Sequence, residues 1–192
     1  GLIGRHNVQN ALAVYAMGRA LGIERSKLLE GFVTFCGVKR RQEIKGERRG
    51  IVVIDDFAHH PTAVMETIDA VRSAYPKRRL WALFEPRSNT SRRNIFETEF
   101  ARALAQADRV IVSELYQPEK VPAADRLSVA RVVAEVNRLA GPERAVTLAD
   151  SQAIANYVST HGSAGDVVLV MSNGAFDGVH DKILRALGSD SS

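Results

Sequence analysis

Two carboxylates and two imidazoles follow directly after an apolar run at residues 51–60, IVVIDDFAHH. Charged groups are costly to bury unless they are paired or bind something, so this cluster is a solvated turn or part of a site. Asp55 and Asp56 alone are typical of a turn with capping side chains. His59 and His60 precede a proline, which holds them at a corner between a strand and a helix and favours a binding site. Metal ligation would need a third ligand or helical histidine spacing.

A second polar segment, FEPRSNTSRR at residues 84–93, follows the next apolar run. Its arginines near a predicted helix start, Arg87 and Arg92, are typical of a receptor for carboxylate or phosphate groups. Ser88 and Asn89 are candidate helix caps and candidate ligand contacts. The alternative is an ordinary capped helix with solvated arginines.

A third segment, MSNGAFDGVH at residues 171–180, follows the last apolar run. Gly174 permits a tight turn that, beside Asn173, presents amide groups to an anion, although a glycine-rich turn alone is a weak indication. Ligands of open α/β sheets bind beyond the carboxyl ends of the strands. We therefore expect the three segments to form one rim that receives a negatively charged ligand.

A fourth group of polar side chains, His6, Asn7 and Asn10, lies at the start of the first predicted helix. The spacings of three and four residues place these side chains on one helical face. Asparagine amides can pair with the donor and acceptor edge of adenine, so the group predicts a nucleotide contact. One of the three residues could serve only as a helix cap.

The elements that must position these residues follow from hydrophobic periodicity. Residues 5–35 predict two helices. Short apolar strands are predicted at 51–54, 80–84, 110–112, 145–148 and 167–170. Helices are predicted near 62–74, 92–106, 126–139, 150–159 and 178–187. Strands that are apolar throughout and alternate with helices predict a doubly wound, mainly parallel, Rossmann-like α/β sheet with helices on both faces.

The predicted domain organisation has four parts. Residues 1–36 are the last helices of a preceding domain, 37–43 a hinge linker, 44–188 the α/β domain and 189–192 a loose tail. The chain has 192 residues, of which 45% are hydrophobic, and no apolar stretch of the ~20 residues that span a bilayer. We expect a cytoplasmic protein that binds neither membranes nor nucleic acid, because the net charge of +4 is scattered without aromatic interleaving. The lone Cys36 is expected to be buried.

Together these motifs resemble those of the Mur ligases. GRHNVQNALA is similar to the family's G-x-H-N-x-x-N helix, GVKRRQE to its linker arginine motif, and IDDFAHHPTAV to the start of its C-terminal Rossmann-like domain. The loops DDFAHHPTAV, FEPRSNTSRR and MSNGAFDGVH are most similar to those of family members that add the recycled tripeptide L-Ala-γ-D-Glu-meso-diaminopimelate. Members that add L-alanine are the alternative, although these carry tyrosine and glycine where Phe57 and Ala58 stand.

The resemblance implies an ATP-dependent peptide ligase of peptidoglycan recycling, which joins the tripeptide to UDP-MurNAc through an acyl phosphate. It implies that one group of residues contacts the nucleotide: His6, Asn7, Asn10, Arg41 and Asp56. A second group would lie toward the incoming peptide, whose carboxylates suit arginine: His59, His60, Arg87, Ser88, Asn89, Arg92, Asn173 and Gly174.

One expected motif is missing from the sequence. No Gly-Lys-[Ser/Thr] occurs, so these residues do not include a loop that cradles the phosphates of ATP. The resemblance implies that this loop and the Mg²⁺ ligands belong to a central domain outside the sequence. We expect that the chain alone holds no complete set of catalytic residues and is inactive. A non-catalytic nucleotide-binding module is the remaining alternative.

Overall fold

The structure, a computed structural model that describes residues 3–188, has a single six-stranded sheet within that range. The strands are β1 (Glu43–Arg48), β2 (Ile51–Asp56), β3 (Leu80–Phe84), β4 (Arg109–Ser113), β5 (Ala145–Leu148) and β6 (Val167–Met171). The helices are α1 (Arg5–Ala20), α2 (Arg25–Thr34), α3 (Pro61–Ala74), α4 (Glu97–Leu104), α5 (Val129–Ala140), α6 (Ser151–His161) and α7 (Val179–Leu187). The predicted tail, 189–192, lies outside the described residues.

The strand order is β1-β2-β6-β3-β4-β5, so the last strand of the chain lies between β2 and β3. All neighbouring strands from β2 onward run parallel, whereas β1 pairs with β2 in the antiparallel direction. Met171 of β6 is in register with Asp56 of β2 on one side and with Phe84 of β3 on the other. The three strands therefore end at the same level.

Helices cover both faces of the sheet. Successive side chains of a strand point to opposite sides, so the central strands contribute to two hydrophobic cores. Ile54 and Phe84 pack with α3, α4 and α5 on one face. Trp81, Leu83 and Val170 pack with α6 and α7 on the other face. This arrangement confirms the predicted doubly wound α/β fold.

The helix that follows β6 lies on the opposite face from the helices that follow its two neighbours. Strands β2 and β3 lead into α3 and α4, which share one core, whereas β6 leads into α7 in the other core. The segments that leave the three strands therefore diverge to different faces. Such a switch point opens a crevice at the carboxyl edge of a sheet, where ligands bind.

Strand β1 was not predicted from the sequence. Its residues, EIKGER, are mostly polar because the strand lies at the exposed edge of the sheet. A tight turn joins it to β2 through Arg49 and Gly50, whose φ angles are 52° and 71°. Positive φ at both positions is the geometry that matches the twist of a hairpin. The edge strand is therefore specified by its turn more than by hydrophobicity.

The helix predicted over 92–106 is shorter in the structure. A 3-10 turn at Asn94–Phe96 precedes α4, which begins at Glu97. The hydroxyls of Ser88 and Ser91 hydrogen-bond to each other at 2.8 Å, and no side chain caps α4. The polar segment after β3 therefore remains an irregular loop, because its hydroxyls bond within the loop instead of starting a helix.

Helices α1 and α2 pack on each other and leave many apolar side chains in solvent. Gly18 is buried against Leu28, and a Cβ at Gly18 would stand 2.6 Å from Leu28 Cδ2. Leu12, Met17 and Val33 are among the exposed side chains. Cys36 is also exposed, contrary to expectation. Within residues 3–188 no helix is long and apolar enough to cross a membrane.

Asp166, just before β6, connects three segments at the edge where β3 and β6 begin. Its carboxylate accepts hydrogen bonds from Arg79 Nη2 at 2.6 Å, from Trp81 Nε1 at 2.9 Å and from Ser163 N at 2.9 Å. Removing this buried carboxylate leaves Trp81 Nε1 and Ser163 N without their acceptor, whereas Arg79 Nη2 keeps a hydrogen bond to His161 O at 3.0 Å. Asp166→Ala should therefore lower the free energy of unfolding by about 3 kcal/mol, measured by urea denaturation.

Asp150→Ala is the control for that prediction. Asp150 caps α6 by accepting from Ala153 N at 2.7 Å, but it is exposed. Loss of an exposed cap should cost about 1 kcal/mol. Equal losses in the two variants would contradict the role assigned to Asp166.

Candidate functional site

Three loops meet at the carboxyl edge of β2, β6 and β3, and together they form a rim. The main chain continues the ladder past the strand ends, because Ser172 N donates to Asp56 O at 3.1 Å and Glu85 N donates to Met171 O at 3.1 Å. The loop after β6, residues 172–175, therefore lies between the other two. The three polar segments predicted to share one edge do so.

Three neighbours contact the Arg87 side chain on the rim. Its Cζ lies 3.7 Å from the centre of the Tyr116 ring, in the loop after β4. Its Nη1 lies 3.6 Å from Glu85 Oε1. The other face packs on Gly174, where a Cβ would stand 2.1 Å from Arg87 Nε. A stacked guanidinium loses less conformational freedom when it binds a carboxylate, so Arg87 is preorganised for an anion.

Arg40 holds the loop after β6, residues 172–175, in place. Arg40 Nη2 donates to Gly174 O at 2.7 Å and also to Ser172 O. The Ser172 hydroxyl donates to Glu85 Oε2 and accepts from Gly174 N at 2.9 Å. Asn173 Oδ1 is buried and accepts no hydrogen bond within residues 3–188. Several hydrogen bonds thus hold this loop, and Asn173 Oδ1 stays shielded within it.

The two histidines occupy different environments. His59 Nδ1 lies 2.9 Å from Phe57 O, and the imidazole packs edge-on against the Phe57 ring at 5.2 Å. His60 precedes α3, is exposed, and its ring centre lies 5.2 Å from that of Phe96. His60 is therefore open to a ligand on the rim, whereas His59 is tied to its own loop.

Arg92 and Asn89 hold the rim loops together. Arg92 is buried, its Nη2 donates to Asn89 Oδ1 at 2.7 Å, and its main-chain N donates to Ser88 O at 3.1 Å. Its Nη1 donates to the carbonyls of Tyr116 and Gln117 at 3.4 and 3.3 Å. These contacts position the Tyr116 loop beneath Arg87. Ligand contacts for Ser88, Asn89 and Arg92 stay a prediction.

Residues predicted to contact a nucleotide are linked by a chain of hydrogen bonds through Gln42. Gln42 N donates to Asp56 Oδ2 at 3.0 Å, and Gln42 Oε1 accepts from Ile3 N at 3.2 Å. Ile3 O accepts from Asn7 Nδ2 at 2.7 Å, and the same Nδ2 lies 3.0 Å from His6 Nε2. The start of α1 is therefore placed beside the end of β2.

Two polar side chains of this group are exposed, and their nucleotide contacts stay a prediction. Asn10 is exposed, and Arg41, also exposed, lies with its Cζ 5.6 Å from the centre of the Phe57 ring. Gly4 brings α1 close to α3, since a Cβ there would stand 2.5 Å from Ala70 Cβ. An amide and a guanidinium thus remain available for a base and a phosphate. Within residues 3–188, no three His, Cys, Asp or Glu side chains converge on a metal position.

The carboxylates at the end of β2 differ in how readily they ionise. Burial raises the pKa of Asp55, but the close approach and charge of His180, with the charge of Arg40, outweigh burial and lower it overall. His180 Nε2 lies 3.2 Å from Asp55 Oδ1, and Arg40 Nε lies 3.4 Å from Asp55 Oδ2. Burial raises the pKa of Asp56 despite hydrogen bonds from Ala58 N and Gln42 N. Asp55 is therefore an anion that holds Arg40 in place.

Glu85 is a second carboxylic acid, and burial disfavours its ionised form. Burial raises its pKa, and the Ser172 hydroxyl and the Arg87 charge offset only part of that effect. Because Arg87 is its partner, an anionic ligand that approached Arg87 would compete with Glu85 for that charge.

Several residues that shape the site were not singled out from the sequence. Arg40, Gln42 and Tyr116 act through contacts with segments distant along the chain, and no local pattern reports such contacts. His180 was quoted within the third segment but given no role. The only sequence indication of Tyr116 was its position in the segment that follows the predicted strand at 110–112.

An open α/β sheet with polar loops at its switch point is the architecture in which ligands bind beyond the carboxyl ends of the strands. A sequence profile described as "Mur ligase, glutamate ligase domain" matches residues 40–174. The chain belongs to the Mur ligase family.

Two curated relatives are about equally similar to the chain. UDP-N-acetylmuramate–L-alanyl-γ-D-glutamyl-meso-2,6-diaminoheptandioate ligase of Escherichia coli K12 is 37% identical over 187 residues, which is 97% of this chain and 38% of the relative. UDP-N-acetylmuramate–L-alanine ligase of Geobacter sulfurreducens is 36% identical over 171 residues, 89% of this chain and 36% of the relative. The chain thus spans less than two fifths of the length of these two relatives.

Solved structures share the fold. A murein peptide ligase from Psychrobacter arcticus has a TM-score of 0.73 and 34% identity, over 100% of this chain and 39% of that one. MurF ligase from Thermotoga maritima, solved in complex with ADP, has a TM-score of 0.66 and 19% identity, over 97% of this chain and 40% of that one. The second likeness supports the fold alone.

Replacing Gly174 by alanine should displace Arg87 without unfolding the domain. The new Cβ would overlap the Arg87 side chain and force the guanidinium away from Tyr116 and Glu85, so the free energy of unfolding should fall by about 1 to 2 kcal/mol. A crystal structure of Gly174→Ala should show the guanidinium off the Tyr116 ring. An undisturbed Arg87 would refute the packing argument. Gly31→Ala, in α2 with nothing within 4 Å, is the matched control.

Acid should remove the stabilising contribution of Asp55. Because its folded-state pKa is lowered, that contribution is fully present above the unfolded value of about 3.9 and is lost as the pH falls through the folded-state pKa. Asp55→Asn should lower the free energy of unfolding at neutral pH by about 2 kcal/mol, and the difference should shrink in acid. Urea denaturation across the acid range measures this. A difference that stays constant would contradict it; exposed Asp69→Asn is the control.

Proposed function

We propose that the chain is the C-terminal portion of an ATP-dependent ligase that joins L-Ala-γ-D-Glu-meso-diaminopimelate to UDP-MurNAc in peptidoglycan recycling. The preorganised Arg87 on a cationic rim carries this proposal, because a tripeptide with several carboxylates needs fixed positive charge. Similarity to the Escherichia coli tripeptide ligase and to the Psychrobacter murein peptide ligase supports it. The proposed setting is the bacterial cytoplasm, where ATP is available.

Ligation of L-alanine is the second candidate function. The Geobacter L-alanine ligase is nearly as similar to the chain, with 36% identity against 37%. A single small amino acid presents one carboxylate, for which Arg87 alone would suffice. The exposed imidazole of His60, a further polar group on the rim, favours the larger acceptor.

The residues of the chain would bind and orient the reactants. Asn7, Asn10 and His6 would hold the adenine, and Arg41 would approach the phosphates or the ribose. ATP, with Mg²⁺, supplies the phosphoryl group that activates the carboxylate of UDP-MurNAc. Arg87, with His60 and the loop at Asn173, would hold the peptide so that its amine faces that carboxylate. Positioning of this kind makes an effectively intramolecular reaction.

Closure would bring the rim onto a phosphate-binding domain. Arg40 and Gln42 are fastened to the rim, whereas Gly37, with a φ of 88°, lies before these anchors. The bending point within the predicted linker 37–43 is therefore proposed to precede Arg40. Since the sequence has no Gly-Lys-[Ser/Thr], the proposal includes that this stretch by itself does not turn over ATP.

The test measures ligation by the full-length enzyme that contains this chain. With UDP-MurNAc and ATP saturating, the tripeptide should give a higher kcat/KM than L-alanine. Arg87→Ala should raise the KM for the tripeptide about 10- to 100-fold, because a charge-assisted pair is lost, and change the KM for ATP by less than about twofold.

Arg102→Ala, an exposed arginine on α4, is the matched control and should leave both constants unchanged. A higher kcat/KM for L-alanine would replace the tripeptide proposal by the second candidate. Equal rises in the KM for the tripeptide and for ATP would refute a peptide-specific role for Arg87.

A further inference from the structure

A second concentration of positive charge lies at the opposite edge of the sheet, where β3, β4 and β5 begin. A cleft of about 700 Å³ there is lined by a single acid, Asp108, and by six basic side chains. The basic residues are Arg72, Lys77, Arg78, Arg79, Arg109 and Arg144. Strand β3 has five residues at ~3.3 Å each, so the cleft is about 16 Å or more from the rim.

Acidic partners neutralise only some of these charges. Arg79 is paired with Asp166 at 2.6 Å. Arg72 and Arg144 share Asp108, at 2.7 and 3.7 Å. Lys77, Arg78 and Arg109 form no salt bridge with any residue between 3 and 188. The net charge of the whole chain is +4, so a large part of its positive excess is concentrated in this cleft.

A structural role accounts for part of the cluster. Helices α3 and α5 end at this edge, and helix C-termini present carbonyl groups that arginines stabilise. Arg144 Nε donates to Ala140 O at 3.2 Å, and Arg109 Nη1 donates to Glu143 O at 2.9 Å. Each of these guanidiniums has five N–H groups, so most of their donors remain unused.

Lys77 and Arg78 are not explained by that role. The Arg78 side chain lies with its Cζ 5.5 Å from the centre of the Tyr75 ring, and its Nη1 is buried without a hydrogen-bond acceptor among the described residues. Neighbouring like charges repel one another and disfavour folding. A buried donor without an acceptor adds to that cost. An anion bound in the cleft would offset the repulsion between these charges.

We propose that this basic cleft binds a small, multiply charged phosphate compound. The volume suits a small molecule, and guanidiniums converging from three strand starts match the oxygens of linked phosphate groups. Among the described residues no aromatic side chain lines the cleft to stack on bases, which favours a compact anion over a nucleic acid strand. The proposal does not depend on the ligase activity.

The probe for the test is inorganic tripolyphosphate, titrated calorimetrically into the 192-residue chain at low salt. The chain should show one saturable site, and the double variant Lys77→Ala with Arg78→Ala should weaken binding tenfold or more. Arg25→Ala with Lys27→Ala removes the same net charge from exposed positions of α2. This control should weaken binding by less than twofold.

Three outcomes would overturn the proposal. One is the lack of saturable binding, and another is equal weakening in the two double variants, which indicates non-specific charge attraction. The third is loss of binding in Arg87→Ala but not in the cleft variant, which places the anion on the rim. Tighter, cleft-dependent binding of a single-stranded oligonucleotide would replace the small anion by a nucleic acid. Failure of the ligase assay would leave each of these readouts unchanged.

Discussion

The insertion of β6 between β2 and β3 is the constraint on which the rim depends. The three strands are buried on both faces, so their main-chain groups can be satisfied only by pairing with neighbours in register. That register fixes the level at which Asp56, Met171 and Phe84 end their strands. The loops that follow the three strands therefore start side by side. A crevice opens between them because α7 packs on one face of the sheet, whereas α3 and α4 pack on the other.

A network of paired charges stabilises the loops that this register brings together. Arg40 connects Asp55 to the loop after β6, and that loop connects through the Ser172 hydroxyl to Glu85. Glu85 in turn faces Arg87. Because one partner of each pair is buried, removal of either member costs more than an exposed salt bridge would. Ligand binding and loop stability are therefore coupled at this edge.

The two edges of the sheet use positive charge in different ways. On the rim, the guanidinium of Arg87 is stacked, paired and packed against Gly174, so its position is fixed before a ligand arrives. At the opposite edge, arginines stabilise carbonyl groups at helix ends, and the basic cleft keeps an excess of positive charge. The loop after β4 serves the first edge, since it holds Tyr116 under Arg87 through the contacts of Arg92.

The order of apolar runs and helical segments by itself determined the doubly wound fold. Strands such as VVLV are hydrophobic on both faces, and this pattern is specific to the centre of a covered parallel sheet. The order of the polar segments also predicted one shared edge, because the fold places all carboxyl ends together. The edge strand β1 was not predicted, since a polar strand that contains a glycine resembles a loop in sequence.

Which side chains face a ligand, and which ones support the site, was decided only by the tertiary structure. His59 and His60 are adjacent in sequence, yet one bonds its own loop and the other is exposed. Arg87 and Arg92 belong to one segment, yet the first lies on the rim and the second is buried under it. The physical reason is that Tyr116, Gly174 and Arg40 come from distant parts of the chain. Their contacts form only when the sheet brings those segments together.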